Sequence, residues 1–238
     1  MTKAEKKQLK QLQQKKYRNS TGTFVVEGWK SILSFLESGY IPHKIYSVTK
    51  NIPTENIEVE TISTKELEVA SALQHPKDAI AIFAIKKNTS LPKSGLILAL
   101  DNLQDPGNMG TIIRTADWFG ITDLVCSVQT VDCYNPKVVQ ATMGSLANVN
   151  IHYTDLKAYL HRADFPVFGT FLEGKNVYKA SLPSKAIVVI GNEGNGIRKE
   201  IETEVDYKIH IPKHPDALAE SLNAAIATAL IVGAFIKN

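Results

Sequence analysis

Three polar segments stand out as places where this chain could do chemistry. They are Asn108–Arg114, Gly191–Gly196 and Ser221–Asn223. Each follows an apolar run that is typical of a buried strand or its exit loop. In open α/β sheets such loops collect the groups that bind ligands and react. Together the three segments indicate an enzyme.

The first segment offers an amide and a guanidinium near the start of a helix. It follows the apolar run Leu96–Leu100 and a turn-forming bridge, so Arg114 is expected about one turn into the helix. Backbone N–H groups and side-chain donors at a helix start suit an anionic or hydroxylic ligand. In the simpler alternative, Asn108 only caps the helix and Arg114 pairs with Asp117 or Asp123 on the surface.

The second segment places one carboxylate in a loop with three glycines. Glu193 lies among Gly191, Gly194 and Gly196, directly after the apolar run Ala186–Ile190. Glycines at a strand exit let the backbone approach a flat or charged ligand closely. The spacing G-x-x-G-x-G matches neither the dinucleotide fingerprint nor the phosphate loop, which argues against a nucleotide-phosphate site. A simple tight turn is the alternative.

The third segment begins the last helix of the chain. Ser221 is a competent N-cap, and a cap hydroxyl lies beside the positive end of a helix, where a substrate could also bind. His210 and His214 precede it four residues apart. However, Pro212 and Pro215 preclude the helix that would bring both imidazoles to one metal ion. We therefore predict no metal site.

The apolar runs between these segments predict the sheet that positions them. From Leu96 onward, near-continuous apolar strands alternate with helices, which is typical of a parallel sheet covered by helices on both faces. The last helix is expected from about Ser221 to Ile236, and its apolar content predicts burial on most sides. The predicted strands are Leu96–Asp101, Asp123–Val128, Ala147–Ile151, Val167–Phe171, Ile187–Ile190 and Lys208–Ile211.

The first 90 residues have the pattern of a separate, small α/β domain. A basic helix is expected within residues 3–18, and a second helix over 29–38. The polar stretch 86–95 is the best linker candidate, so we divide the chain into residues 1–90 and 91–238. The predicted strands of the small domain are Thr23–Gly28, Lys44–Val48, Glu58–Ile62 and Ala79–Ile85.

Composition narrows the class of protein. Hydrophobic residues make up 44% and charged residues 21%, as in soluble globular proteins. No apolar run reaches the roughly 18 residues that a membrane span needs. Neither a signal peptide nor a lipidation motif is visible at Met1–Gln8, so we expect a cytoplasmic protein. Cys126 and Cys133 fit core thiols in a reducing compartment.

The net charge of +3 is distributed unevenly. Residues 1–18 hold seven basic side chains against Glu5 alone, a net of +6, which leaves the rest of the chain at −3. A polyanion is the natural partner of such a basic arm. A solvated helix face or a frayed terminus explains the same charge equally well.

In order and wording, the three segments resemble the motifs of the SpoU (TrmH-like) RNA ribose methyltransferases of the SPOUT superfamily. The resemblance spans residues 96–238, and the part ahead, with Phe24–Gly28, is similar to the RNA-binding domain often fused before that catalytic domain. It implies an α/β fold whose parallel sheet ends in a C-terminal trefoil knot, a feature that no propensity argument predicts. In one departure, Lys213–Ala217 replaces the methionine and glycine that many members carry after Ile-Pro.

The resemblance implies an S-adenosylmethionine-dependent homodimer that methylates a ribose 2'-hydroxyl of ribosomal or transfer RNA, without a metal or a membrane. The motif-one arginine of one subunit is then expected near the site. RNA is favoured over DNA because DNA lacks the acceptor hydroxyl. The implied catalytic set is Asn108, Arg114, Glu193, Ser221 and Asn223. The implied cofactor contacts are Thr170, Phe171, Leu172, Gly191, Ile211 and Leu222.

The role of the arginine and the presence of activity are separate questions. Proposals for the family make the arginine the general base, yet a guanidinium holds its proton too tightly to act as a base near neutral pH. We expect Arg114 to orient the ribose-phosphate and stabilise developing oxyanion character, while Asn108 and Ser221 align it.

The alternative function is a non-catalytic RNA-binding or ribosome-assembly factor of the same fold. A nicotinamide-dependent oxidoreductase would need a dinucleotide fingerprint that this sequence lacks.

Overall fold

The computed structural model describes residues 1–49, 57–76, 78–86 and 90–237. The chain divides into two compact units. The first comprises Met1–Lys87 and Asp132–Asn148, and the second comprises Asn88–Val131 and Val149–Asn238. Residues 132–148, which the sequence places in the second domain, therefore group with the first unit. Residues 87–89 of the predicted linker lie outside the described residues.

The helices and strands of the described residues follow one another along the chain in a mixed order. The strands are β1 Thr23–Glu27, β2 Pro42–Ser47, β3 Val59–Thr61, β4 Ala79–Ala84, β5 Leu96–Leu100, β6 Asp123–Ser127, β7 Asn150–Thr154, β8 Val167–Asn176, β9 Ala186–Ile190 and β10 Tyr207–His210. The helices are α1 Lys3–Leu12, α2 Lys15–Thr21, α3 Trp29–Glu37, α4 Thr64–Ala70, α5 Pro106–Trp118, α6 Pro136–Thr142, α7 Leu156–His161, α8 Lys199–Glu202 and α9 Ala224–Lys237.

The first unit is a small α/β fold, as predicted. Its four strands lie in the order β1-β4-β2-β3, with β4 antiparallel to both neighbours and β3 parallel to β2. The expected basic helix over residues 3–18 is two helices, α1 and α2. A capping box between Thr2 and Glu5 starts α1. Leu9 and Leu12 of α1 are buried in the core with Ile80 and other apolar side chains of the unit.

A buried ion pair joins residues 132–148 to the rest of the first unit. The Arg18 side chain on α2 is only 2% exposed, and its Nε donates to Asp132 Oδ2 at 3.1 Å. Its Nη1 donates to the carbonyl oxygen of Leu12 at 2.9 Å. Arg18 therefore stabilises the fold and is not part of the exposed basic surface that the sequence predicts for residues 1–18.

The second unit contains a six-stranded sheet in which every pairing is parallel, in the order β10-β8-β9-β5-β6-β7. This confirms the predicted parallel sheet. Its central strands are buried along their length, and Ile97, Val125 and Ile187 lie in one core cluster with Leu156 and Leu160 of α7. The C-terminal knot stays a prediction.

Three predicted boundaries in the second half of the chain are wrong. Strand β7 begins at Asn150 because residues 145–147 form a 3-10 turn after Gly144, whose φ is 102°. Strand β8 runs to Asn176 because β10 pairs with it a second time beyond a register shift at Lys208/Ile209. Helix α9 begins at Ala224. Cys126 and Cys133 are buried, as predicted.

The apolar content of the longest helices does not make them membrane spans. No helix in the described part of the chain has the length and hydropathy that crossing a bilayer requires.

Candidate active site

The three polar segments follow the carboxyl ends of parallel strands in one sheet. The first follows β5, and the second follows the adjacent strand β9. The third lies at the end of the 13-residue loop 211–223 that follows β10. Since all these strands run in the same direction, their exit loops start from the same edge of the sheet. This edge is where open α/β sheets bind ligands.

A chain of side-chain hydrogen bonds joins the three segments. Asn108 Nδ2 donates to Glu193 Oε1 at 3.1 Å, and Asn223 Nδ2 donates to Asn108 Oδ1 at 2.8 Å. Asn108 is the buried member, at 9% exposure. We call Asn108, Glu193 and Asn223 the polar trio. The structure thus brings together three of the five predicted catalytic residues, one from each segment.

The Glu193 carboxylate accepts hydrogen bonds from four donors, two at each oxygen. Besides Asn108, the backbone N–H of Asp105 donates to Oε1 at 3.1 Å and that of Gln104 to Oε2 at 3.3 Å. Asn192 Nδ2 also donates to Oε2, at 3.3 Å. Partial burial is the largest single effect and raises the pKa of Glu193. The hydrogen bonds from Asn108 and the backbone outweigh it together, so the pKa lies below its ordinary value. Glu193 is therefore a charged acceptor near neutral pH.

The start of α9 is capped by Asn223 and not by Ser221, which corrects the predicted cap. Asn223 Oδ1 accepts the backbone N–H groups of Ala225 and Ile226 at 2.9 and 3.2 Å. Ser221 is exposed in the loop before the helix. One amide therefore serves two purposes, because its oxygen caps α9 while its nitrogen binds Asn108.

Arg114 lies apart from the polar trio within one chain. Asp105 caps α5 by accepting the Asn108 N–H at 2.7 Å, so the helix starts at Pro106 and Asn108 is not its cap. Arg114 is consequently more than two turns into α5, and not the one turn that the sequence predicts. Its side chain is exposed, and the described residues offer it no hydrogen bond or ion pair. The alternative surface pair with Asp123 is absent, and that carboxylate instead binds His152 at 2.7 Å.

The first three predicted cofactor residues lie within β8. Thr170 Oγ1 donates to the carbonyl oxygen of Val189 on the neighbouring strand at 3.0 Å. Phe171 is half-buried, with the Lys208 ammonium 4.8 Å from its ring centroid. Leu172 is 75% exposed. These residues precede the second pairing of β8 with β10, so they lie at the bulge between the two pairings.

The remaining predicted cofactor residues follow β9 and β10 or precede α9. A Cβ atom on Gly191 would lie 2.3 Å from the carbonyl carbon of Gly196, so no other residue fits where the loop folds back on itself. Ile211 is half-buried directly after β10, and Leu222 is half-exposed beside Asn223. His210 Nδ1, one residue before Ile211, is buried and has no hydrogen-bond partner among the described residues.

The sequence analysis missed Asn192, which shapes the second segment from within. Its Oδ1 accepts the N–H groups of Gly194 and Asn195 at 3.0 and 3.1 Å, and its Nδ2 donates to the carbonyl oxygen of Asn102 at 2.7 Å. Asn102 itself has a left-handed backbone, with φ at 56°. The signal in the sequence was an asparagine before a glycine-rich turn, where its side chain commonly binds the backbone two residues on.

This arrangement is suited to orienting a ligand. The described residues place no serine or cysteine nucleophile next to a base at this edge of the sheet. What they place there is a charged carboxylate with saturated hydrogen bonds, two amides and a glycine loop. Such groups fix loop geometry and offer backbone donors and acceptors to a bound molecule.

Comparisons with known proteins found two family models that match this chain. Residues 95–233 match the profile of the SpoU rRNA Methylase family, and residues 4–81 match the MRM3-like substrate binding domain. The chain is 29% identical over 234 residues to the 23S rRNA (guanosine(2553)-2'-O)-methyltransferase RlmP of Bacillus subtilis, covering 95% of this chain and 93% of the relative.

Two solved structures are similar over nearly the whole chain. One is a protein of Porphyromonas gingivalis assigned to the TrmH family of RNA methyltransferases, with a TM-score of 0.90, 35% identity and coverage of 99% of this chain and 98% of that chain. The other is an AdoMet-bound rRNA methyltransferase from Sinorhizobium meliloti, with a TM-score of 0.86, 27% identity and coverage of 98% and 94%. The protein described here belongs to the SpoU rRNA methylase family.

Proposed function

We propose that this protein transfers a methyl group from S-adenosylmethionine to a ribose 2'-hydroxyl of ribosomal or transfer RNA. The observation that carries the proposal is the polar trio, which joins all three motif segments at the ligand-binding edge of the parallel sheet. The names of two relatives support it. The Bacillus subtilis relative is a 2'-O-methyltransferase of 23S rRNA, and the Sinorhizobium meliloti relative is an rRNA methyltransferase with bound AdoMet.

The residues present fit the cofactor. The segments expected to contact it follow or interrupt β8, β9 and β10, which are neighbours in the sheet. Gly191 keeps its loop free of a side chain, and the unpaired His210 Nδ1 lies beside Ile211, where a bound group could supply a partner. Residues 170–172, Gly191, Ile211 and Leu222 would hold the cofactor. When bound, S-adenosylmethionine supplies a methyl group that its sulfonium already activates for transfer.

The protein must then hold the ribose hydroxyl in line with that methyl group and assist the loss of the hydroxyl proton. Positioning can supply much of the barrier reduction in such a transfer. The polar trio serves this purpose by fixing the three loops relative to one another. Glu193 is an unsuitable general base, because its lowered pKa and its four donors keep it an acceptor of protein hydrogen bonds.

Arg114 and Ser221 are the two predicted catalytic residues that are exposed and make no side-chain hydrogen bond within the described residues. They are therefore available to contact substrate. Arg114 would orient the ribose-phosphate and stabilise the negative charge that develops on the 2'-oxygen, since a guanidinium binds phosphate through a planar fork. Ser221 would align the hydroxyl from the loop before α9. The Asn108 amide would set the orientation of the trio, because it bonds both of the other members.

The enzyme would act as a homodimer. Asn108 and Arg114 lie six residues apart on α5, which places them about 120° apart around the helix axis. Arg114 of one subunit can thus be directed to the site of a second. Helix α9 also exposes Ile226 and Leu230, one turn apart, at 53% and 40%, and the packing partner α5 exposes Trp118 at 85%. Apolar side chains exposed in such a row are typical of subunit interfaces.

RNA would be recruited by residues 1–90, with methyl transfer assigned to residues 91–238, in the cytoplasm. Helix α1 is amphipathic, with Leu9 and Leu12 buried on one side. The opposite side presents Lys3, Lys7 and Lys10, all exposed, which we call the lysine face. Its spacing aligns three ammonium groups in one row, as an RNA backbone of regularly spaced phosphates requires.

The test is transfer of radiolabelled methyl from S-adenosylmethionine to unmodified ribosomal and transfer RNA. We expect label in RNA, resistant to alkaline cleavage at one position, with loss of at least about 100-fold in Arg114→Ala. Arg162→Ala, which removes another exposed arginine of the second unit, is the matched control and should retain activity. Tight RNA binding with no transfer to any RNA would instead establish the non-catalytic alternative.

A further inference from the structure

A buried carboxylate lies directly after β5 and contacts the segment that follows β9. The Asp101 side chain is 0% exposed. Its Oδ2 accepts the backbone N–H of Arg198 at 2.8 Å, and its Oδ1 accepts Nε and Nη2 of the same guanidinium at 2.8 and 2.7 Å. The backbone N–H of Asp101 donates to the carbonyl oxygen of Ile190 at 2.8 Å.

These contacts grip both ends of one loop. Ile190 is the last residue before Gly191, and Arg198 lies two residues after Gly196. We call residues 191–197 the glycine loop. Asp101 therefore holds the entrance of the glycine loop through its backbone and the exit through its side chain. Asp101 is also the first residue after β5, where the chain leads to Asn108. A single residue therefore connects two motif segments.

The chemistry of the pair suits a fixed geometry. A carboxylate out of water is stable only when its charge and lone pairs are satisfied, and Arg198 supplies both through three N–H groups. A guanidinium fork fixes direction as well as distance, whereas a lysine ammonium would supply charge alone. Nη1 of Arg198 points away to Glu200 at 2.6 Å, so the Asp101 contacts use the other edge of the guanidinium.

We propose that Asp101 and Arg198 are positioning residues that hold the glycine loop in the shape that binds S-adenosylmethionine. This inference rests on the proposed function, because Gly191 is a cofactor contact only there. The pair acts through the loop: it places Gly191 for the cofactor and Glu193 for its bonds to Asn108. Loss of the pair should therefore weaken cofactor binding before RNA is present.

The first experiment measures S-adenosylmethionine binding calorimetrically in full-length Asp101→Asn and Arg198→Lys. Asp101→Asn keeps the size of the side chain and removes its charge, whereas Arg198→Lys keeps the charge and removes the guanidinium. We expect the dissociation constant for the cofactor to rise about tenfold or more in each, which corresponds to about 1.4 kcal/mol of binding free energy. Glu200→Gln is the matched control, because it removes the charge of the other Arg198 partner and should leave cofactor binding unchanged.

Hydrogen exchange of the cofactor-free protein gives a second readout. Amides of residues 192–197 should exchange faster in both variants, while amides of β9 keep their protection. Guanidinium ion added to Arg198→Ala should restore part of the cofactor affinity, and an ammonium salt at equal concentration should not.

Each outcome bears on a different claim. Folded variants with wild-type cofactor affinity and unchanged loop exchange would overturn the positioning role. This holds even if their melting temperatures fall, because the loss of a pair that only stabilises the fold would lower stability and change nothing else. A wild-type protein that binds no S-adenosylmethionine would refute the proposed function. In that case, faster loop exchange in the variants would still support a loop clamp without its cofactor role.

Discussion

Replacement of Glu193 by glutamine tests the positioning role of the polar trio most directly. Each carboxylate oxygen accepts two donors, so a glutamine NH2 in either place faces two N–H groups and loses both hydrogen bonds. A hydrogen bond to a charged group contributes about 1.5–3 kcal/mol, and we take the lower end because water reaches this exposed loop. The expected loss is about 3 kcal/mol.

This loss should appear in the thermal stability of the enzyme. For a chain of this size, 1 kcal/mol shifts the melting temperature by roughly 2–4 °C, so Glu193→Gln should melt about 6–12 °C below the wild type at pH 7. Glu68→Gln, which alters an exposed glutamate on α4, is the matched control and should melt within about 1–2 °C of the wild type.

The pH dependence of the difference follows from the lowered pKa of Glu193. A carboxyl whose pKa is lower in the folded state stabilises the fold above its unfolded pKa and loses that contribution as the pH falls through the folded pKa. The gap between the wild type and Glu193→Gln should thus be constant from pH 7 to about 5 and shrink below about pH 4.

Methyl transfer distinguishes positioning from proton transfer. A positioning role predicts a lower kcat in Glu193→Gln with an unchanged shape of the pH–rate profile. A profile whose acidic limb disappears in the variant, with the melting temperature unaltered, would refute the reasoning and make Glu193 a titrating catalytic group.

Three further predictions concern other contacts. Asn223→Asp should keep the α9 cap but lose the hydrogen bond to Asn108, because a carboxylate cannot donate. We expect a fall in melting temperature of about 1–6 °C and a lower rate of methyl transfer, and an unchanged rate would contradict this. Removal of all three lysines of the lysine face should lower the slope of log affinity for RNA against log salt by about 2–3, measured by titrations at several salt concentrations. An unchanged slope would show that RNA does not bind that surface. Asp132→Ala should destabilise the first unit by about 3–5 kcal/mol in urea unfolding, because Arg18 is left buried without its partner, and a loss below about 1 kcal/mol would count against that burial.

The sequence predicted the layered architecture well and the hydrogen-bond pattern poorly. Apolar runs such as Ala186–Ile190 predict buried parallel strands because a sheet covered on both faces leaves no polar side. The motifs placed Asn108, Glu193 and Asn223 in three separate segments of the chain, and only the fold shows that they touch. The residue that caps a helix differed from the expected one by two or three positions, as with Asp105 in place of Asn108.

Long-range pairs escaped prediction altogether. Nothing in the local sequence indicates that Arg18 binds Asp132, 114 residues later, or that Asp101 binds Arg198, 97 residues later. Both appeared as ordinary charges, one in a basic arm and one at the end of a strand. Sequence periodicity predicts local secondary structure, whereas the topology of the whole unit determines which distant residues become partners.

The assignment of residues 132–148 to the first unit has a consequence for the order of synthesis. As the chain leaves the ribosome, residues 1–87 emerge without Asp132 to neutralise Arg18 and without Tyr134, whose ring centroid lies 4.5 Å from that of Phe24. The amino-terminal unit is therefore completed by a segment that begins 48 codons after the end of β4, when β5 and β6 of the other unit are already translated. A truncation after residue 90 would remove the carboxylate that pairs with Arg18. The two units are interleaved along the chain, so a single cut cannot separate them.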